Sequence, residues 1–253
     1  MKLIKRLLFA SIIFANIHIQ AIIFESDNLK DIYNYANKDT LVVFDMDDTL
    51  VSPPGYIGSS VWLEYEIANL QKKGFSFDKA LVFMLPTYFT IHEFMHIDSI
   101  GNCPEIIDTL QKKNLCTMIL TNRSMPMVNI TLRELKRLNI DLSINSLYKK
   151  DLDISIQYKA IFSNGVIFAA SNNKGEILCL FLEKIGYTPK KIIFVDDKLK
   201  HVKSVEAATE KRGIEFVGIR YSLQDEYKKN FDSAIADQQF HALKVTMGLE
   251  PLG

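Results

Sequence analysis

Cysteine is scarce in this chain of 253 residues. Cys103, Cys116 and Cys179 are too few and too dispersed to form a disulfide framework or a zinc knuckle. Their odd count leaves at least one thiol without an intramolecular partner, and Cys116 and Cys179 sit in apolar runs that suit buried small hydrophobes. An excess of one charge is lacking too. The 30 basic residues balance the 30 acidic ones with no long run of either sign, so nothing in the composition calls for a nucleic-acid partner. Internal repeats and low-complexity segments are absent. Beyond the N-terminus no stretch is long and apolar enough to cross a bilayer.

At the N-terminus, Lys2, Lys5 and Arg6 precede an apolar run over residues 7–19 with few interruptions, Asn16 and His18 among them, followed by Ala21. A basic start, a short apolar stretch and a small residue make the pattern of a secretory signal peptide. The expectation is cleavage after Ala21 and an exported product, periplasmic or secreted, with no stable membrane span; an uncleaved anchor is the alternative. The whole chain is 48% hydrophobic and 24% charged, ordinary for a globular protein, and long enough for one large domain or a domain with an insert.

The centre of the sequence is residues 41–50, LVVFDMDDTL. An unbroken apolar run over 41–44 suits a short strand buried on both faces, and it ends abruptly in Asp45, Asp47 and Asp48. Carboxylates clustered at the carboxyl end of a buried strand lie where open α/β sheets hold ligands. Their repulsion calls for a cation, a shared proton or both. A plain acidic turn, solvated or holding calcium weakly, is the alternative.

Three later signals have the same form. Residues 116–120, CTMIL, read as a buried strand ending in Thr121-Asn122-Arg123, although a strand-ending Thr also serves as a helix cap. Lys174 falls at the start of an amphipathic helix closed by Gly186, where the helix dipole disfavours positive charge. The alternative there is an exposed surface lysine. Residues 191–195 form another buried strand, running into Asp196-Asp197.

Taken together, Asp45-x-Asp47-x-Thr49, Thr121, Lys174 and Asp196-Asp197 resemble the four ordered motifs of the haloacid-dehalogenase superfamily, and beyond that a little-studied branch of its exported bacterial proteins. The resemblance implies a Rossmann-like α/β fold with a parallel sheet flanked by helices. It implies a Mg2+-dependent phosphatase that hydrolyses a small phosphate monoester. Asp45 would be the nucleophile, carrying an aspartyl-phosphate intermediate, and Asp47 the general acid and base. Thr121, Asn122 and Lys174 would bind the phosphate, Arg123 being an attractive extra anion ligand that the pattern does not demand. Asp45, the backbone carbonyl of Asp47, and Asp196 would hold the metal, with Asp197 orienting the site from behind. A phosphomutase of the same superfamily and a secreted interaction protein without turnover stay open as readings.

Between the first two strands lies a long block that reads as an inserted helical cap. It begins with a loop of two prolines and two glycines over 52–58, continues as a helix over 60–73 stopped by Gly74, and then shows apolar residues up to Pro86 and an aromatic-rich segment to 97. The division expected is a leader over 1–21, a core over 22–51 and 101–253, and a cap over 52–100. His92-Glu93-Phe94-Met95-His96 inside the cap fits H-E-x-x-H, so a zinc metallopeptidase is a competing reading. Ser26 or Asp27 predicts a capped helix through Asn37, Asn164-Gly165 predicts a β-hairpin, and the last thirty residues read as a polar, partly helical extension.

Overall fold

The computed structural model describes residues 21–247, so all but the last position of the expected leader lies outside the described residues. In chain order come strand β1 (Ile22–Ser26), a 3-10 turn (Leu29–Asn34), β2 (Thr40–Phe44) and the short β3 (Val51–Ser52). Helices α1 (Ser60–Lys72) and α2 (Phe77–Phe94) follow, then β4 (Asp98–Ser99), α3 (Cys103–Lys112), β5 (Cys116–Thr121) and α4 (Val128–Arg137). Next are β6 (Leu152–Asp153), β7 (Ile161–Ser163), β8 (Val166–Phe168), α5 (Lys174–Lys184), β9 (Lys191–Asp196) and α6 (Leu199–Glu210). The chain continues through β10 (Glu215–Tyr221), α7 (Asp225–Lys229) and α8 (Ser233–Thr246).

Eight strands form one sheet in the order β1-β10-β9-β2-β5-β8-β7-β6, parallel from β1 to β8 and antiparallel over the β7–β8 and β6–β7 pairs. The fold is α/β, as expected. Every residue of β2 is buried, because side chains pointing to either face meet a layer of helices. Val42 and Phe44 join one apolar cluster with α3 residues Ile106, Ile107 and Leu110. Leu41 and Val43 join the other, with Ile177 and Phe181 of α5 and Val202 of α6. From β2 the chain winds to β5 on one side and later to β9 on the other, so the sheet's switch point falls beside β2.

The insert leaves and re-enters through a two-stranded stem, with Val51 opposite Ser99 and Ser52 opposite Asp98. Helices α1 and α2 form a third apolar cluster of their own around Trp62, Met84, Tyr88 and Ile91. Ala236 of α8 is buried in this cluster, and Phe240 and Leu243 lie against it. Side chains from the C-terminal segment also hold the 53–58 loop. Gln239 Oε1 accepts from Tyr56 N at 2.8 Å, and Tyr227 Oη donates to Gly55 O at 2.7 Å.

One local expectation needs correcting. The helix expected from a Ser26 or Asp27 cap to Asn37 is only a 3-10 turn over Leu29–Asn34, capped by Asn28, and the residues just ahead of it form β1, paired in register with β10. Pairing with β10 gives the backbone of residues 22–26 its hydrogen-bond partners. Pro86 does not divide the cap segment: α2 runs through it. A proline there removes the hydrogen bond to the carbonyl of residue 82, and Val82 is 68% exposed, so water can take that place. The hairpin forms as expected, with Asn164 (φ 48°) and Gly165 (φ 82°) as its two-residue turn.

Candidate active site

The sheet register builds the site. Phe44 of β2 lies opposite Val195 of β9, so Asp45 stands level with Asp196, and Asp45 N donates to Val195 O at 2.8 Å. Phe44 also lies opposite Ile119, which places Thr121 at the same carboxyl edge on the other flank. Behind them α5 delivers Lys174. Its N-cap Asn173 accepts from Glu176 N, and Gly175 allows the helix to touch α6, since a Cβ there would meet the Ser204 carbonyl oxygen at 2.0 Å. Lys174 Nζ, 2% exposed, lies 2.6 Å from Asp45 Oδ1 and 2.7 Å from Asp196 Oδ2.

The charge balance there is incomplete. Burial first, then the Asp196 charge, push the Asp45 carboxyl well above the ordinary range, and Lys174 offsets only part of this. Asp196 is also fully buried, which alone would raise it. Lys174 and His201 more than compensate and hold it low. The Asp196 carboxylate also accepts from Lys198 N at 2.8 Å and faces His201 Nδ1 at 3.1 Å. Asp45, Asp196 and His201 are the one group among the described residues with three donor atoms close enough to share a metal ion. Asp197 lies behind: its N–H donates to Thr49 Oγ1, and its carboxylate pairs with Lys228 of α7 at 2.7 Å.

Asp47 points elsewhere. Arg123 grips both its oxygens, Nε to Oδ2 at 3.0 Å and Nη2 to Oδ1 at 2.8 Å. Burial would raise the Asp47 carboxyl, but the Arg123 charge and hydrogen bonds hold it below its ordinary value. Arg123 Nη1 bonds Thr131 Oγ1 at 2.9 Å and also bonds Glu134 Oε2, so each of the three guanidinium nitrogens already has a protein partner. Glu134 Oε1 in turn faces His92 Nδ1 at 3.0 Å, and His92 Nε2 faces Gly58 O at 2.9 Å. Burial would raise Glu134, yet Arg123 and His92 keep it low and ionised. Each ring nitrogen of His92 thus faces a protein oxygen, a carboxylate on one side and a backbone carbonyl on the other.

Thr121 is buried and accepts from Arg123 N at 3.1 Å, which leaves its own hydroxyl proton available; Asn122 is exposed at the same edge. The H-E-x-x-H run does not form a metal site. Helix α2 ends at Phe94, so His96 is not one helical turn on from His92; it is exposed and pairs with Asp98, while Glu93 pairs with Arg133. His92 has both nitrogens committed to protein oxygens. All three cysteines are free.

The register thus brings together Asp45, Thr121, Lys174, Asp196 and Asp197 and turns the Asp47 side chain toward Arg123. Sequence reasoning missed His201, Lys228, Glu134 and the true partners of His92. Only His201 left a signal, five residues after Asp196 and on the first turn of the next helix.

Among proteins of similar sequence, a Chlamydia pneumoniae protein named "Putative outer membrane protein" is 26% identical over 217 residues, 85% of this chain and 82% of its own. A Chlamydia trachomatis protein of the same name is 26% identical over 198 residues, 78% of this chain and 72% of its own. No helix among the described residues is long and apolar enough to cross a membrane. Similar solved structures include a HAD-superfamily hydrolase from Geobacter sulfurreducens, with 17% identity, a TM-score of 0.43, and 75% of this chain and 95% of that one covered. Another is the class C acid phosphatase from Bacillus anthracis with tungstate bound, with 12% identity, a TM-score of 0.39, and 88% and 84% covered. Overlaps this loose carry no argument about chemistry. The firm assignment is by sequence over nearly the whole described length: residues 25–252 match one family model, and the chain belongs to the family described as "Protein of unknown function (DUF2608)".

Proposed function

We propose that this protein is a phosphatase that hydrolyses a small phosphate monoester through an aspartyl-phosphate on Asp45. The observation that carries the reading is the Asp45–Lys174–Asp196 contact at the switch point of a parallel sheet, with Thr121 on the adjoining strand. A carboxylate needs a reason to be buried beside a second carboxylate and a lysine. Attack on phosphorus supplies one, since the nucleophile must be kept dry, ionised and aimed.

In this reading the Asp45 carboxylate attacks phosphorus, forming an oxygen–phosphorus bond as the ester oxygen leaves. Lys174 neutralises charge on the attacking carboxylate, and the Thr121 hydroxyl donates to a phosphoryl oxygen. Asp47 gives a proton to the leaving oxygen and later takes one from the water that cleaves the acyl phosphate. Because Asp47 is held as a carboxylate by Arg123 in this structure, that role requires a change at the Asp47–Arg123 contact when substrate arrives.

The donors present suit a divalent cation. Asp45 and Asp196 are hard oxygen ligands, and the raised Asp45 carboxyl marks a site short of positive charge. Asp45, Asp196 and the backbone carbonyl of Asp47 would hold Mg2+, which when bound would offset the negative charge of the phosphate. Export belongs to the same proposal: cleavage after Ala21 would leave β1, which begins at Ile22, whole.

Asp45→Asn tests the reading. Turnover of nitrophenyl phosphate with Mg2+ present should vanish, and no phosphoenzyme should appear after acid quench and mass spectrometry. Full activity in this variant would end the proposal.

A further inference from the structure

We infer that Arg123, Glu134 and His92 are positioning residues for the Asp47 carboxylate, and that through them the helical cap sets where this carboxylate points; the inference rests on the phosphatase reading above. The four side chains form one continuous line. Asp47 lies just beyond β2, Arg123 just beyond β5, Glu134 on α4 and His92 on cap helix α2, with the line ending on the Gly58 carbonyl ahead of α1. Along it a carboxylate meets a guanidinium, the guanidinium a second carboxylate, and that carboxylate an imidazole. Arg123, Glu134 and His92 are 4%, 2% and 1% exposed, whereas the Asp47 side chain at the site end is 28% exposed.

Two physical points give this line a purpose beyond holding the fold. Buried ion pairs contribute little net stability, because the cost of desolvating both partners offsets their attraction. A four-member line is therefore a poor device for stability alone. It is a good device for geometry, because a guanidinium presents a rigid planar fork and a two-point grip fixes both the position and the plane of a carboxylate.

The line also has no slack. Glu134 spends one oxygen on Arg123 and the other on His92, and His92 spends both nitrogens. The Tyr88 ring lies 4.4 Å from the His92 ring, centroid to centroid, and fixes its orientation. Withdrawal of α2 would leave a Glu134 oxygen unpaired, draw Arg123 toward Glu134 and loosen its grip on Asp47. Return of α2 would restore the grip. The cap thus governs where the carboxylate that proton transfer depends on is held.

The test uses Glu134→Gln and His92→Phe in the full chain, with nitrophenyl phosphate in rapid mixing. A nitrophenolate is a good leaving group, so formation of the phosphoenzyme needs little help from Asp47, whereas its hydrolysis needs Asp47 as base. Both variants should keep the first burst of nitrophenolate at the wild-type rate and size. Their steady-state turnover should fall about 10–100-fold, within the span of general acid–base effects, with phosphoenzyme accumulating on Asp45. Independently of turnover, the Arg123 Nε–H resonance should shift in His92→Phe, two links away along the line.

Equal loss of burst and steady state would make the line merely structural, and wild-type behaviour of both variants with an unmoved Arg123 resonance would remove the coupling. Either result overturns the inference and leaves the phosphatase reading standing. Turnover that survives Asp45→Asn overturns the phosphatase reading, and the role of Asp47 in hydrolysis goes with it.

Discussion

Lys174 Nζ lies 2.6 Å from Asp45 Oδ1, deep in a site where both side chains are almost wholly out of water. With Asp196 on its other side, this lysine is the cation that lets two carboxylates share one buried edge. Burial opposes its charge, but the two aspartates hold it protonated, above its ordinary value.

Lys174→Met should therefore do more than reduce activity. Removing one partner from a buried ion pair costs about 3–5 kcal/mol, because the remaining charge is stranded. Urea denaturation should show a loss of that size. Adding Asp196→Asn should restore part of it, giving a clearly non-additive double-mutant cycle. Strictly additive losses would show that the contact is not an energetic unit.

Asp196 and Asp197 are neighbours in sequence with different surroundings. Asp196 faces Lys174 and His201 beside Asp45, while Asp197 pairs with Lys228. Chelation by EDTA should abolish phosphatase activity. In Asp196→Asn the Mg2+ concentration giving half-maximal rate should rise steeply, and in Asp197→Asn much less. Equal small effects from the two would contradict the assignment of ligands.

Asp47→Asn keeps the attacking oxygen of Asp45 but removes the proton donor and base. Turnover should drop about 10²–10⁴-fold without vanishing. Acid quench and mass spectrometry should find added phosphate on this variant when nitrophenyl phosphate is the substrate. Failure to trap it, in an enzyme whose wild type turns over, would remove Asp47 from the hydrolysis step.

Asp48 gives a pH prediction. Burial raises its carboxyl to about 6, partly opposed by the hydrogen bond from Ser60, with Asp197 adding to the rise. Its folded-state value lies above the unfolded one, so its contribution to stability is complete below about pH 4 and is lost as pH rises through about 6. Asp48→Asn abolishes that loss, and Asn also tolerates the left-handed backbone at this position (φ 61°). In chelator, the variant should exceed wild type by up to about 3 kcal/mol at pH 8 in urea unfolding, with the gap closing at pH 3.5. A gap that did not change with pH would exclude this carboxyl as its source.

The carboxyl edge of the sheet was legible because its signals are local. An apolar run that stops at Asp45, Thr121 or Asp196 shows both the strand and the group it presents. Lys174 was legible because a cation at a helix start goes against the dipole. Strand β1 was not, because Ile22, Ile23 and Phe24 merge with the apolar leader before them, and what makes them a strand is β10 at the far end of the chain. The Arg123 partners were hidden for the same reason. Nothing near Asp47, Glu134 or His92 in sequence shows that folding will align them, and the match of His92 to a zinc pattern pointed the wrong way. Helix α8 has mixed polarity and revealed neither its contact with the cap nor the reach of Gln239 to the 53–58 loop.

The pairing of β1 with β10 also bears on how the chain comes to fold. Ile22 is synthesised long before its partner Val217, and contacts so far apart in sequence form late, because a long loop must first be closed. Until β10 emerges, Ile23 and Phe24 have no sheet to join, and the edge of the sheet next to β9 stays open. A newly made chain would therefore remain loosely organised at its leading end. On the export proposed above, that is the condition in which the polypeptide could still be threaded through a translocation pore, and closure of the last parallel pair would be the event that ends it.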